Sequence, residues 1–198
     1  TREAPAESAM RFVAGSHRGR RLKAPAGNAV RPTRDRIREA LFNLLAHNRW
    51  HGAPLPRDAA VVDGFAGTGA LGFEALSRGA AHVSFLENDP AALDLLRHNA
   101  ALFSDSAERI AILNCDATRP GRARRACRLA LLDPPYGSGL AKAALEALAR
   151  GGWLKPGALA VVELAAKEPV VDPPPGFEAL DERRYGATRL IILRWPGL

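Results

Sequence analysis

The chain has 198 residues, and 47% of them are hydrophobic, which suffices for the core of one domain. No run of 18 apolar residues occurs and no signal-peptide pattern opens the chain, so we expect neither a membrane span nor a membrane partner. Two cysteines, Cys115 and Cys127, lack metal-ligand spacing. They indicate a reducing compartment, and we expect a cytoplasmic protein without a bound metal.

The net charge of +7 is concentrated in one N-terminal segment. Residues 11–38 contain nine Arg or Lys and one acid, Asp35, for a net of +8, and residues 1–10 contribute −1. The other 160 residues therefore sum to zero. Charge concentrated in this way favours a polyanionic partner, and a solvated basic surface is the alternative.

The N-terminal segment has the patterns of a hairpin followed by a helix. Residues 1–10 are polar and rich in Ala and Glu, which predicts a disordered tail. Short alternating stretches at 11–14 and 20–23 flank turn residues, which predicts two strands joined by a tight turn. Thr33 is a candidate N-cap for a helix over about 34–48, in which apolar residues recur on one face. We expect residues 11–50 to form a basic extension and residues 51–198 to form the main domain.

Strand and helix patterns alternate from residue 59 onwards. Strands separated by helices imply a parallel sheet, whereas the tight Gly186-Ala187 connection makes the last two strands antiparallel. The predicted fold is α/β and Rossmann-like, with a seven-stranded, mostly parallel sheet that ends in an antiparallel hairpin. The predicted strands are 59–63, 82–87, 110–114, 129–133, 158–163, 178–185 and 188–195, and the predicted helices are 69–78, 90–101 and 139–150.

A glycine-rich turn follows the first strand of the main domain. Glycines allow the backbone to approach a ligand closely, and here they are Gly64, Gly67 and Gly69. The turn also fits G-x-G-x-x-G with Glu87 downstream, but in that dinucleotide motif the first glycine follows the strand directly. Asp63 followed by G-x-x-G-x-G resembles the cofactor loop of class I S-adenosylmethionine (SAM) methyltransferases. A dinucleotide site and a turn without a ligand stay open as alternatives.

Four acidic residues stand at or just past the carboxyl ends of predicted strands, where parallel sheets bind ligands. They are Asp63, Glu87, Asp116 and Asp133. Glu87 is placed to accept two ribose hydroxyls, because a carboxylate offers two acceptor oxygens. Asp116 is placed to accept an adenine amino group. Alternatively, each of them caps a helix or is solvated.

The tetrapeptide Asp133-Pro134-Pro135-Tyr136 directly follows an apolar strand. An exocyclic amine on a base is a poor nucleophile, because its lone pair is delocalised into the ring. The Asp133 carboxylate and the Pro134 carbonyl could hold its two N–H groups and orient that lone pair at a methyl donor. Tyr136 would stack on a base that has been extruded from its helix. The alternative is a proline-rich turn with a surface tyrosine.

A second basic cluster contains no acid and consists of Arg119, Arg122, Arg124, Arg125 and Arg128. It precedes the strand that carries Asp133. It either grips phosphates near the active-site mouth or forms a solvated surface.

These motifs together resemble the bacterial RsmD family. The matching stretches are 10–22, 31–43, 63–72, 74–79 and 133–136. The resemblance implies a SAM-dependent RNA methyltransferase that modifies the exocyclic N2 of guanine 966 in 16S rRNA of the small ribosomal subunit. It also implies a monomer. The nearest rival is an adenine-N6 methyltransferase that acts on DNA or RNA, because that amine needs the same acceptors. A further rival is an RNA-binding module with a degenerate methyltransferase domain.

The resemblance assigns three groups of site residues. The target guanine would be held by Asp133, Pro134, Pro135 and Tyr136. The cofactor would be bound by Asp63, Phe65, Ala66, Gly67, Thr68, Gly69, Glu87, Asn88, Asp116 and Ala117. The RNA would be faced by Arg18, Arg20, Arg21, Arg31, Thr33, Arg34 and Arg36, within a run that extends to Arg38.

Overall fold

The computed structural model describes residues 10–24, 32–47, 50, 52–169 and 172–197. The strands are β1 (Met10–Arg11), β2 (Arg21–Leu22), β3 (Ala60–Gly64), β4 (His82–Glu87), β5 (Ile110–Asn114), β6 (Cys127–Leu132), β7 (Leu154–Ala165), β8 (Glu178–Tyr185) and β9 (Thr188–Trp195). The helices are α1 (Pro32–Ala46), α2 (Ala70–Ser77), α3 (Pro90–Ala100) and α4 (Leu140–Arg150), and a 3₁₀ segment spans Ala101–Arg109. None of these helices has the length and apolarity needed to cross a bilayer.

The main sheet has seven strands in the order β5-β4-β3-β6-β7-β9-β8. The five strands from β5 to β7 are parallel, and β9 pairs antiparallel with both β7 and β8. The predicted fold class is thus confirmed. The chain proceeds from β3 outwards to β5, then returns to place β6 on the other side of β3. This reversal creates a topological switch point, where open α/β sheets bind their ligands.

The central strands β3 and β6 are almost continuously apolar because both faces of the sheet are covered. Successive side chains point to opposite faces, so Val61 and Leu131 join one hydrophobic cluster while Val62 and Leu132 join the other. The first cluster includes core residues of α1, α2 and α3. The second includes core residues of α4.

The N-terminal segment packs on the main sheet. Phe12 and Leu22 of the hairpin are buried in the same cluster as Ile37 and Leu41 of α1. His17 is also buried, and its ring stacks on Phe103 with centroids 4.0 Å apart. The hairpin therefore presents its outer surface from a fixed position.

The structure differs from the predictions at several N-terminal positions. Helix α1 begins at Pro32, so Thr33 lies in its first turn and is not the N-cap. Proline is favoured at a helix start because its φ angle is preset and the amide it lacks has no helical partner there. Strands β1 and β2 have two residues each, and Met10 of the predicted tail pairs with Leu22. The rest of that tail, residues 1–9, lies outside the described residues.

Candidate active site

A cavity of about 790 Å³ opens at the carboxyl edge of the sheet, over the switch point. The glycine turn after β3 lines one part of it, and residues 133–136 after β6 line another. The ends of β4 and β7, residues 115–117 and the first half of α1 complete the wall. Two motifs 64 residues apart in sequence therefore line one open cavity.

The glycine turn has a backbone that few other residues tolerate. Gly67 has φ +56° and Gly69 has φ +79°, and Phe65 adopts φ +59° although it carries a side chain. At Gly69, a Cβ atom would lie 2.4 Å from the Phe73 ring. Strained residues of this kind cluster at ligand-binding sites. The turn thereby keeps backbone atoms close to the cavity.

Asp63 supports this turn from below. Its side chain is buried, and Oδ2 accepts a hydrogen bond of 2.8 Å from the Gly72 amide in the first turn of α2. Gly69, the N-cap residue of α2, has no side chain to do this. Burial raises the pKa of Asp63 well above its usual value. The contacts of Asp63 are therefore those of a helix-capping residue, which was the alternative reading of this carboxyl. Asp63 also lines the cavity.

Glu87 joins the end of β4 to the glycine turn. Oε2 accepts a hydrogen bond of 2.7 Å from the Gly67 amide, and Oε1 accepts from the Asn88 and Asp89 amides at 2.8 Å. Each carboxylate oxygen has two lone-pair sites, so Oε1 is fully used and one acceptor site remains on Oε2 of this cavity-lining residue. Glu87 is thus held rigidly at the cavity wall.

Asp116 lies across the cavity from the turn, after β5. Its Oδ1 accepts hydrogen bonds of 2.8 Å from the amide and the hydroxyl of Thr118, and these bonds lower its pKa. It is therefore an ionised acceptor at neutral pH. Six other predicted cofactor contacts line the same cavity, namely Phe65, Ala66, Gly67, Thr68, Asn88 and Ala117. The predicted contact Gly69 is buried in the turn and does not line it.

The tetrapeptide after β6 contains a second carboxyl with a raised pKa, that of Asp133. Solvent in the cavity reaches Asp133, yet protein surrounds much of the carboxyl. This loss of hydration, together with repulsion from Glu163, raises the pKa of Asp133 to about 7. Tyr136 is 50% exposed, and its hydroxyl donates to Glu163 Oε1 at 3.2 Å. The ring therefore stands at the cavity rim with its hydroxyl anchored.

Glu163 was not predicted from the sequence. It lies near the end of β7, lines the cavity, and has a raised pKa because of burial. Arg34 of α1 also lines the cavity, and its positive charge acts on Asp133 and Glu163. In the sequence, Glu163 is a single charged residue between Val162 and Leu164 of an apolar strand. Such a residue does not by itself indicate a functional site.

Most predicted RNA-facing residues are exposed. Arg18, Arg20 and Arg21 lie on the outer surface of the hairpin, and Arg20 also donates to the Leu102 carbonyl at 3.2 Å. Arg34 and Arg36 are exposed near the start of α1. Arg31 lies outside the described residues, and of Thr33 only the backbone is described.

Arg38 corrects the prediction that the whole basic run faces RNA. It is 4% exposed and donates to Asp35 Oδ1 at 2.9 Å and to the Arg11 carbonyl. It also pairs with Glu74, whose carboxylate is fully buried. Arg38 therefore fixes α1 to the hairpin and to α2. Its role depends on tertiary docking, which charge counting does not detect.

Most of the second basic cluster lies at the opposite edge of the sheet. The Ala123 amide donates to the Gly151 carbonyl at 2.9 Å, and the Trp153 indole donates to the Gly121 carbonyl at 3.0 Å. These contacts are at the amino ends of β6 and β7. The chain leaves β5 at the carboxyl edge of the sheet and must return to the amino edge before it enters β6, because the two strands are parallel. Of the two alternatives for the cluster, the solvated surface fits Arg122, Arg124 and Arg125, which are exposed and do not line the cavity.

Asn99 is a buried contact that sequence reasoning missed. It is 0% exposed on α3 and donates to the Thr68 carbonyl at 2.9 Å and to the Lys23 carbonyl at 3.1 Å, and it accepts from the Lys23 amide at 2.8 Å. It thus ties the glycine turn to the end of the hairpin. Its only sequence signal is a polar residue on the buried face of a helix.

The sheet order, the antiparallel β8-β9 pair and the glycine turn define the Rossmann-like fold of class I methyltransferases. Comparison with known proteins agrees. The solved structure of the Escherichia coli protein yhhF superposes with a TM-score of 0.79 and 31% identity, covering 96% of this chain and 99% of that one. The Haemophilus influenzae protein HI0767 gives 0.75 and 32%, covering 94% and 98%.

Sequence comparison identifies the particular family. The chain belongs to the family described as Conserved hypothetical protein 95, which matches residues 10–194 and is the RsmD family of the resemblance. Ribosomal RNA small subunit methyltransferase D of Haemophilus influenzae is 37% identical over 171 residues, 85% of each chain. The protein of the same name in Escherichia coli is 38% identical over 156 residues, 78% of this chain and 74% of that one. The prediction of a methyltransferase is thereby confirmed.

Proposed function

We propose that this protein transfers a methyl group from SAM to the exocyclic N2 of guanine 966 in 16S rRNA of the small ribosomal subunit. The observation that carries the proposal is the shared cavity, in which the glycine turn and Asp133-Pro134-Pro135-Tyr136 face each other. Two relatives are named as small subunit rRNA methyltransferases, and this supports the substrate class.

The acidic groups around the cavity suit SAM better than a dinucleotide. SAM carries a sulfonium and an ammonium and has no phosphate, so it favours carboxylates, whereas a pyrophosphate favours bare amides at a helix N-terminus. Asp63 is a buried carboxyl with a raised pKa, which a nearby cation would lower. Glu87 would hold the ribose and Asp116 the adenine. When bound, SAM supplies an electrophilic methyl group.

Asp133 and Pro134 would prepare the nucleophile. The Asp133 carboxylate and the Pro134 carbonyl accept the two N–H groups of N2, which turns the nitrogen lone pair toward the methyl donor. Positive charge that develops on N2 is stabilised by the same two acceptors. N2 must then lose a proton, and the Asp133 carboxylate is positioned to accept it. A pKa of about 7 allows Asp133 to take up that proton and release it again near neutral pH.

The hairpin and α1 would hold the RNA. Arg18, Arg20 and Arg21 stand on a rigid, packed hairpin and would contact phosphates, which position a nucleic acid without reading its sequence. The guanine must leave its stack to enter the cavity, and the half-exposed Tyr136 ring offers it a new stacking surface. Arg34 links the two regions, since it is exposed on α1 and also lines the cavity.

The direct test is methyl transfer from labelled SAM to small subunits that lack the modification, followed by nucleoside analysis. We expect the label in N2-methylguanosine, and we expect Asp133→Ala to abolish it while leaving SAM binding nearly intact. Label in N6-methyladenosine would replace this proposal with adenine-N6 methylation. Equal loss of turnover and SAM affinity in Asp133→Ala would make Asp133 a cofactor ligand.

A further inference from the structure

Glu163 stands beside Asp133 at the carboxyl edge of the sheet. Leu132, the last residue of β6, pairs with Val162 of β7 in parallel register. Asp133, directly after β6, therefore lies next to Glu163 of β7, and both residues line the cavity. Two carboxyl groups therefore point side by side into one cavity.

The surroundings of Glu163 fix one of its oxygens and leave the other available. Tyr136 donates to Oε1 at 3.2 Å. In the part of the chain that the structure describes, no donor lies within hydrogen-bond distance of Oε2. The positive charge of Arg34 favours ionisation of both carboxyls, and the charge of Glu163 opposes ionisation of Asp133. Such a pair is electrostatically costly unless a ligand brings hydrogen-bond donors.

Guanine brings two donors on one edge. Its ring N1–H and exocyclic N2–H groups point the same way, whereas adenine presents an N6–H donor beside an unprotonated N1 that is an acceptor. Two adjacent carboxylates match the donor pair of guanine, and they oppose the lone pair on adenine N1. Complementary acceptors of this kind can reject a base that lacks the donor, because the acceptor is then left buried and unpaired.

We propose that Glu163 accepts the N1–H of the target guanine while Asp133 accepts an N2–H, so that Glu163 is the residue that selects guanine over adenine. This proposal rests on the proposed function, because it names the residue that would recognise the guanine methylated in that function. The raised pKa of both carboxyls supports it, because burial disfavours the ionised form of each and a hydrogen-bond donor from the base would offset that cost. Glu163 is a specificity-determining residue in this scheme, and Asp133 remains the group at the reacting nitrogen.

The test uses short RNA substrates that carry guanine or 2-aminopurine at the target position. 2-Aminopurine keeps the exocyclic amine but has an acceptor at N1. For the protein without substitutions we expect kcat/KM to favour guanine by about 10–100-fold, the range of one charged hydrogen bond. Glu163→Gln offers an amide N–H to the N1 acceptor. The ratio should therefore fall at least about tenfold in this variant, and 2-aminopurine fluorescence should report tighter binding of that RNA.

The matched control is Asp133→Asn, the same charge-removing change on the neighbouring strand. It should lower turnover on both substrates and leave their ratio near the wild-type value, because N1 is not its contact. Suppose that the guanine to 2-aminopurine ratio of kcat/KM is unchanged in Glu163→Gln while the wild-type product is still N2-methylguanosine. That result would overturn the role of Glu163 and leave the proposed function standing. A wild-type product other than N2-methylguanosine would instead overturn the proposed function. Circular dichroism of each variant excludes misfolding.

Discussion

Replacing Glu74 by alanine should loosen the N-terminal extension from the methyltransferase fold. The Glu74 carboxylate is fully buried and accepts hydrogen bonds from the Val13 amide at 2.9 Å and the Ala14 amide at 3.1 Å. It also pairs with Arg78 at 2.7 Å and with Arg38 at 3.6 Å. One side chain therefore connects the hairpin, α1 and α2.

The magnitude follows from what the alanine would leave behind. Breaking a buried ion pair by removing one partner costs about 3–5 kcal/mol. The two orphaned amides would add to this cost, while water that enters beside the 12%-exposed Arg78 side chain would reduce it. For a protein of this size, 1 kcal/mol lowers the midpoint of thermal unfolding by about 2–4 °C. Glu74→Ala should therefore lower Tm by about 6–20 °C.

Scanning calorimetry gives the shift, and Glu146→Ala on α4 is the matched control. Glu146 forms an i,i+4 pair with Arg150 at 3.7 Å on the surface, which is worth at most about 0.5 kcal/mol. In Glu74→Ala, hydrogen exchange should also show lost protection at the Val13 and Ala14 amides. A Tm decrease as small as that of Glu146→Ala, with both amides still protected, would refute this account of the docking.

Three further predictions concern the site. Glu87→Ala should weaken SAM binding about 10–100-fold by titration calorimetry, since a charged acceptor is lost, and unaltered affinity would remove Glu87 from the cofactor site. Joint replacement of Arg18, Arg20 and Arg21 by alanine should make the negative slope of log K against log salt for RNA binding shallower by roughly 2–3. An unchanged slope would show that the hairpin does not contact RNA phosphates. Asp133 can take the N2 proton only when it is ionised, and its pKa is about 7, so kcat/KM should rise as pH increases through about 7. That rise should disappear in Asp133→Asn, and its persistence there would assign the titration to another group.

The raised pKa of Asp133 also has a consequence for stability, although it is separate from catalysis. A carboxyl whose pKa is higher in the folded state binds its proton more tightly there. The fold is therefore penalised progressively as pH rises from the unfolded pKa through about 7, and the penalty is complete above that. Keeping this carboxyl in the cavity costs stability, as expected of a group retained for function.

The sheet could be predicted because its signals are local. The predicted strand 129–133 and the observed β6 share an apolar run, since a strand covered on both faces must be apolar along its whole length. Strand β4 and the pair β8-β9 have the predicted bounds, because turn residues mark their ends. The same local patterns predict where the strands end. They therefore also predict where the two cavity-lining motifs begin.

The functions of single polar residues were less predictable because they depend on contacts far apart in sequence. Arg38 looks like its exposed neighbours in the basic run, and only Glu74, 36 positions away, explains why it is buried. Arg122, Arg124 and Arg125 precede the Asp133 strand in sequence but lie at its far end in space. Glu163 is one charge in an apolar strand, and its meaning comes from the register that sets it beside Asp133.

We infer that one cavity brings the methyl donor and the target base together. A crystal structure with S-adenosylhomocysteine, the demethylated cofactor, would show whether it does. We expect the ribose at Glu87, the adenine at Asp116, and the sulfur facing the Asp133 carboxylate and the Pro134 carbonyl. A ligand bound elsewhere, or one whose sulfur points away from those two groups, would contradict it.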